Sequence, residues 1–279
     1  MIINHTLRKV GQLIINMFIC IFSISCVYPI AWIFYSSLKE SSEFNRDIIA
    51  LPQSLNFDNY IKAFQNSNLA KYSFNSLFNA TVSTTIIIIL AFILAYFISR
   101  FNFKGRKILY IMFLFGMLVP VHALLIPIFI QFKNAGFFNK RFTLILPYVA
   151  FGLPFTLFLL ESYLNGVPKE LDEAAMIDGS GLSRTMFTII LPLCKPMLVA
   201  VGILSFFGNW NEFSFALVLI NSDKYKTVSL ALQSFSGQYA TDYPTQMAAM
   251  VVAIAPVLVL YLIFNKKIIE GMAEGAVKG

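Results

Sequence analysis

Long apolar runs separated by short polar connectors divide this chain. Six such runs lie roughly at 13–37, 74–99, 108–132, 142–163, 193–219 and 245–265, each near the ~20 residues a helix needs to cross a bilayer. The pattern predicts an all-α integral membrane protein, a single domain over 1–279 with six transmembrane helices. One connector breaks the rhythm. Residues 164–192 are polar yet carry helical periodicity. Pro168 suits a first helical position, where its missing N–H costs nothing. Glu170, Asp172 and Glu173 then fall in a first turn, where the helix dipole favours acids. Leu171, Ala174, Ala175 and Asp178 follow at spacings that put them on one face. Gly179 and Gly181 are placed to stop the helix with a left-handed cap, and Ser183 to start a second helix through Thr185 and Phe187. The expectation is a helix–turn–helix with a small, flat, partly acidic face. Periodicity alone leaves an ordinary amphipathic connector equally open.

Composition supports the membrane reading. The chain is 58% hydrophobic and 13% charged, against about 25% charged in soluble domains, and its mean hydropathy is +0.72. The net charge of +7 is scattered over short loops; nucleic-acid binding would need it gathered on one face. Arg8 and Lys9 precede the first run, Arg100, Lys104, Arg106 and Lys107 follow the second, and Lys266 and Lys267 follow the sixth. With six spans these fall on one side, which the positive-inside rule makes cytoplasmic, with both termini. Lys133, Lys140 and Arg141 on the other side weaken the bias. The run from Leu13 is longer than a signal peptide's apolar region and no small-x-small site follows, so it reads as an uncleaved first helix. Cys20, Cys26 and Cys194 show no disulfide or zinc spacing, and His5 and His122 are too few for a histidine metal cluster.

Polar residues inside the runs are candidates for function. Pro120, His122 and Pro127 predict a kinked third span. His122 reads either as a donor to a neighbouring helix's carbonyl or as a ligand contact. The fourth run carries two prolines and a glycine, and both spans look built to line something other than lipid. Glu161, near the end of the fourth run, is expected to reach interfacial water and is given no transport role. In the fifth run, GNWNEFSF places Trp210, Asn211 and Glu212 together. Glu212 lies roughly 28 Å along from Leu193 at the helical rise, so lining of a path and packing at the outer end both stay open. The loop 38–73 is expected to hold one short helix and turns. Asn75 and Ser76, at the mouth of the second run, read equally as a loop and helix cap.

Residues 173–192 resemble the cytoplasmic coupling loop of membrane subunits of binding-protein-dependent ABC importers. The signature is E-A-A, three residues, G, nine residues, I-x-L-P. Glu173, Ala174, Ala175, Gly179, Ile189, Leu191 and Pro192 fill every fixed position. Pro52, Asn59 and Tyr60, with Asn75 and Ser76, resemble the carbohydrate-type subunits, as do WNEF and SGQY-x-TD. Gly271, Gly275, Lys278 and Gly279 are similar to the short C-terminal tail of the maltose-permease G-like branch. Glu270 and Glu274 depart from the basic or small residues expected there.

The resemblance implies the type I importer transmembrane fold in a bacterial plasma (inner) membrane. The coupling loop, 164–192 with Asp178 on its face, would meet a cytosolic ATPase, and the tail 266–279 would enter between two ATPase chains. It implies a homologous permease subunit, two cytosolic ATPase subunits, an extracellular or periplasmic solute-binding protein and a sugar substrate as partners. The chain has no G-x-x-x-x-G-K-[ST] and so no phosphate-cradling loop; it is expected to be a transport subunit, not an enzyme, with ATP and Mg held by the partner. Related subunits carry glycerol phosphate or other polar solutes, so the cargo stays open. An ion-coupled carrier would need paired intramembrane carboxylates; Glu212 alone is read near membrane depth, Glu161 being placed at interfacial water, so no acidic partner is expected for it in another span.

Overall fold

The computed structural model describes residues 2–66, 68–238 and 242–276, and among these there is helix and loop but no strand. The helices are α1 (Ile2–Ser36), α2 (Ser41–Arg46), α3 (Asp58–Asn66), α4 (Leu69–Arg100), α5 (Arg106–Met117), α6 (Val121–Asn134), α7 (Ile145–Asn165) and α8 (Glu170–Ile177). Then come α9 (Leu182–Arg184), a π-helical stretch Thr185–Ile190, α10 (Leu191–Leu193), α11 (Lys195–Asn211), α12 (Ser214–Leu219), α13 (Val228–Gln238) and α14 (Tyr243–Ala276).

Among the described residues, four helices are long and apolar enough to cross a membrane by themselves: Gly11–Ser36, Leu69–Arg100, Ile145–Asn165 and Tyr243–Lys267. Two further pairs reach that length together but are sharply bent, α5 with α6 by 101° and Leu182–Leu193 with α11 by 78°. Proline explains both breaks. Pro120 is the residue before α6, extended at φ −71° and ψ 113°. It offers no N–H to the preceding turn and pushes its own neighbour out of the helical region. The kink expected in this span is therefore a break at Pro120, while Pro127 rides inside α6. Pro192 and Pro196 flank the second break at Cys194.

The chain falls into two units. One comprises Met1–Leu69 with Leu232–Ile254, the other Ala70–Ala231 with Ala255–Gly279. In the first, Lys39 is fully buried. Its ammonium donates to Asp47 O at 3.0 Å and Ile48 O at 3.2 Å and lies 5.5 Å from the Tyr35 ring. Asn59 donates to Ser37 O and Lys39 O, both at 2.8 Å, and the Tyr60 and Ser37 hydroxyls pair at 2.7 Å. The Asn–Tyr pair thus clasps the loop, which holds two short helices, α2 and α3, where one was expected. Asp242 accepts from Ser41 Oγ at 2.8 Å and Thr245 Oγ1 at 2.7 Å.

The second unit packs around α4. Ala91, Phe92, Ala95 and Tyr96 of α4 meet Leu157, Leu160 and Leu164 of α7, Ile190, and Met197 and Val201 of α11. Small residues let such helices close up where lipid gives little hydrophobic drive. Gly152 is one: a Cβ there would lie 2.6 Å from Ile87 Cδ1. Asn75 and Ser76 lie inside α4, not at its cap. Asn75 donates to Lys224 O and Lys226 O, Ser76 Oγ accepts from Val228 N at 2.9 Å, and Arg141 donates to Asn75 Oδ1. Cys194 is buried in this core, while Cys20 and Cys26 are exposed on α1.

Candidate functional site

The polar connector folds into a short helix with one bare face. Glu170, Asp172 and Glu173 occupy the first turn of α8. Pro168 and Lys169 lie just before it. At the other end Gly179 takes φ +78°, its N–H reaches Met176 O at 3.0 Å and Ser180 N–H reaches Ala175 O at 2.9 Å. This crossed pair is the Schellman arrangement, which needs a left-handed residue at Gly179. Gly181 is not left-handed: at φ −73° and ψ 159° it is the extended residue before α9. Ser183 lies inside α9 and caps nothing.

The faces of α8 also differ from a simple helical wheel. Ala174, Glu173, Asp178 and Gly179 are exposed, and Ile177 is 86% exposed beside Leu171 and Met176. Ala175 is buried and turned the other way with Asp172, so it is not part of the open face. Of the remaining signature positions, Ile189 and Leu191 are half-buried against the core. Pro192 is exposed and lines a groove of about 440 Å3 with Lys195, Pro196, Lys267 and Glu270.

Beneath α8 lies a buried charge cluster. Asp172 accepts from Tyr96 Oη at 2.8 Å and pairs with Arg100 Nε at 2.9 Å. Arg100 Nη1 donates to Leu164 O, the last turn of α7, at 3.2 Å. Tyr96 is fully buried, and the Arg100 and Asp172 side chains are 4% and 9% exposed. Sequence placed Arg100 only as a topogenic charge and Asp172 only as a first-turn acid. Glu161, expected at interfacial water, is buried and accepts from Asn165 Nδ2 at 2.7 Å.

A cleft of about 290 Å3 opens between α7 and α11, lined by Tyr148, Phe151, Phe155, Ser205, Asn209 and Glu212 among others. Aromatic faces with a few polar groups are the usual make-up of a small-solute site. The Trp210–Asn211–Glu212 cluster does not act as a unit here. Trp210 is 3% exposed and stacked on Phe206 at 6.0 Å. Asn211 is exposed. Only Glu212 lines the cleft, where α11 ends and its carboxylate accepts from Phe215 N–H at 2.6 Å and Ala216 N–H at 3.3 Å at the start of α12. Asn209, which sequence reading passed over, lines the same cleft and donates to Thr84 Oγ1 at 3.2 Å. His122 is exposed near the start of α6.

The tail is helical, although glycine equally permits an extended or tightly turned backbone. α14 runs through Gly271 and Gly275 to Ala276. A glycine costs a helix only about 1 kcal/mol, and the Lys, Ile, Glu, Met and Ala around these two favour it. Lys278 and Gly279 lie outside the described residues, as do Tyr239, Ala240 and Thr241 of the SGQY-x-TD stretch. No group of three or more His, Cys, Asp or Glu disposed to hold a metal occurs among the described residues.

An all-helical membrane chain with a capped, exposed polar helix between two spans defines a class: the membrane subunits of type I importers. Comparison with known proteins agrees. The sequence profile of the family described as binding-protein-dependent transport system inner membrane component matches residues 87–268, and the chain belongs to that family. It is 35% identical over 258 residues to the diacetylchitobiose uptake system permease protein NgcG of Streptomyces coelicolor, covering 91% of this chain and 85% of the relative. It is 34% identical to the trehalose/maltose transport system permease protein MalG of Thermococcus litoralis, covering 92% and 93%. A solved bacterial ABC transporter involved in import of the acidic polysaccharide alginate contains a chain that superposes with a TM-score of 0.79 at 22% identity, covering 92% of this chain and 96% of that one. The resemblance to the carbohydrate-type, maltose G-like branch is thus borne out, as are the all-α fold and the multi-pass membrane character.

Proposed function

We propose that this chain is one membrane half of an ATP-driven oligosaccharide importer. It would pair with a homologous permease, receive sugar from an external solute-binding protein and be driven by two cytosolic ATPases that hold the ATP and Mg. The observation that carries this reading is the face of α8. Glu173, Ala174, Asp178 and Gly179, with Ile177 almost wholly exposed, make a small apolar-and-acidic surface of the kind a partner groove covers. Sugar as cargo is supported by the relatives above and by the cleft. Its rings can stack on C–H surfaces, and Ser205, Asn209 and Glu212 can meet hydroxyls. On this topology α8 and both termini are cytoplasmic.

The test is reconstitution of the complex in proteoliposomes with its ATPase and binding protein. Uptake of a labelled oligosaccharide should require ATP and the ATPase chain. Uptake that persists without the ATPase and follows a proton or sodium gradient would show a secondary carrier instead.

A further inference from the structure

We propose that Asp172 is a positioning residue, the foot of a buried strut that ties the α8 face to the end of α4. This rests on the reading of α8 as the helix an ATPase moves. Asp172 lies on the side of α8 opposite Ala174 and Ile177, so a push on the open face is received by the gripped one. Its two carboxylate oxygens hold different residues of one helix: Oδ1 takes the Tyr96 hydroxyl and Oδ2 the Arg100 guanidinium, one turn further on. One hydrogen bond, from Tyr96, and one close ion pair, with Arg100, hold α8 against α4 at two points one turn apart. Arg100 is the last residue of α4, where a cation meets the negative end of the helix dipole. Its third link, to Leu164 O, brings in the end of α7.

The chemistry suits transmission better than adhesion. A buried ion pair is a poor source of stability, since apolar residues of the same volume do as well, but losing one partner leaves an uncompensated buried charge. Arg100 Nε and Nη2 are buried with no hydrogen bond among the described residues, so the guanidinium's charge is met by the Asp172 carboxylate at 2.9 Å, and without Asp172 it keeps only the Leu164 carbonyl. The π-helical stretch Thr185–Ile190 follows α8 after only one short turn of helix, and packs Met186 and Ile190 into the same core as Tyr96. Displacement of α8 is therefore conveyed to α4 by the strut and to α11 by the continuous chain.

The experiment compares uptake per ATP hydrolysed in the reconstituted complex. Wild type is measured first; a wild-type complex without ATP-driven uptake defeats the proposed function itself. Asp172→Asn should still hold the ATPase and hydrolyse ATP, while uptake per ATP falls about tenfold, within the range usual for coupling between sites. Asp172→Glu, which keeps the charge, should restore most of the ratio. An unchanged ratio in Asp172→Asn, whether both rates hold or both fall together, overturns the proposal. So does a fall that Asp172→Glu shares in full. If Asp172→Asn does not reach the membrane, Tyr96→Phe decides: it keeps the ion pair and removes one link. A ratio lowered about two- to fivefold supports the strut, and a wild-type ratio overturns it.

Discussion

Single residues here separate by what surrounds them more than by type. Gly179 is required for its backbone: at φ +78° a side chain is strained, yet a Cβ would meet nothing within 4 Å. Asparagine tolerates the left-handed region best among other residues. Gly179→Asn should therefore keep most uptake, while Gly179→Trp, inserted normally, should lose it by covering the α8 face. Wild-type uptake by a normally inserted Gly179→Trp would remove this face from coupling. Trp210 and Glu212, two residues apart, should divide in a different way. Trp210 is core, and removing a buried Trp costs about 3–5 kcal/mol, so Trp210→Ala should lower the melting temperature of the purified complex. Glu212→Gln keeps an acceptor for the α12 amides. It should leave melting nearly unchanged and raise the KM for uptake if the cleft carries sugar. Equal melting temperatures for the two variants would contradict this division.

At the scale of elements, what was legible in the sequence is what depends on neighbours along the chain. The apolar runs, the cap at Gly179 and the first-turn acids of α8 are local, and local periodicity finds them. The break at Pro120 was half legible, since proline announces a kink but not a 101° bend, which neighbouring helices set; the 78° bend at Cys194, at the start of what reads as one continuous fifth run, was not anticipated. The Tyr96–Asp172–Arg100 cluster joins residues about 70 positions apart, and no spacing rule reaches that far. The side of α8 that Ala175 takes, and the burial of Trp210 beside an exposed Asn211, likewise depend on what packs above them. Asp242 shows the same limit, since Ser41 lies 201 residues from it. Burial alone would raise its pKa, but hydrogen bonds from Thr245 and Ser41 and the Lys62 charge outweigh it and hold the group below its ordinary value. A carboxylate with a depressed pKa stabilises the fold above its unfolded pKa, and loses that effect as pH falls through the folded value. Protection of the amides around Ser41 and Thr245, taken relative to the open-chain exchange rate at each pH, should thus be high near neutral pH and fall only below about pH 4. Asp242→Asn should be poorly protected throughout; equal protection of the two proteins at neutral pH would remove Asp242 as the anchor.

For the whole molecule, the open question of consequence is how far the last helix takes part in coupling. The polar connector and the end of α14 meet in the structure at a groove in which Pro192 of the resembled signature lies with Lys267 and Glu270. The tail is a stiff helix as far as Ala276: at about 1.5 Å per residue, the stretch from Lys266 to Ala276 projects roughly 15 Å beyond the last span. That length can touch a partner chain below the membrane. On the proposed function, two placements of the tail are separable by experiment: against the Pro192 groove, or between the ATPase chains as the resemblance implies. Deleting residues 272–279 removes the outer part of that helix and leaves the groove residues in place. Such a truncated chain should insert and take up sugar at close to the wild-type rate, with stimulation of ATP hydrolysis by the loaded binding protein reduced. Replacing Lys267 and Glu270 with alanine should impair uptake more than the deletion does, because it strips the groove at Pro192. If instead the deletion abolishes stimulation and the double substitution leaves it untouched, the end of the tail is the contact, reaching between the ATPases as the sequence resemblance implied.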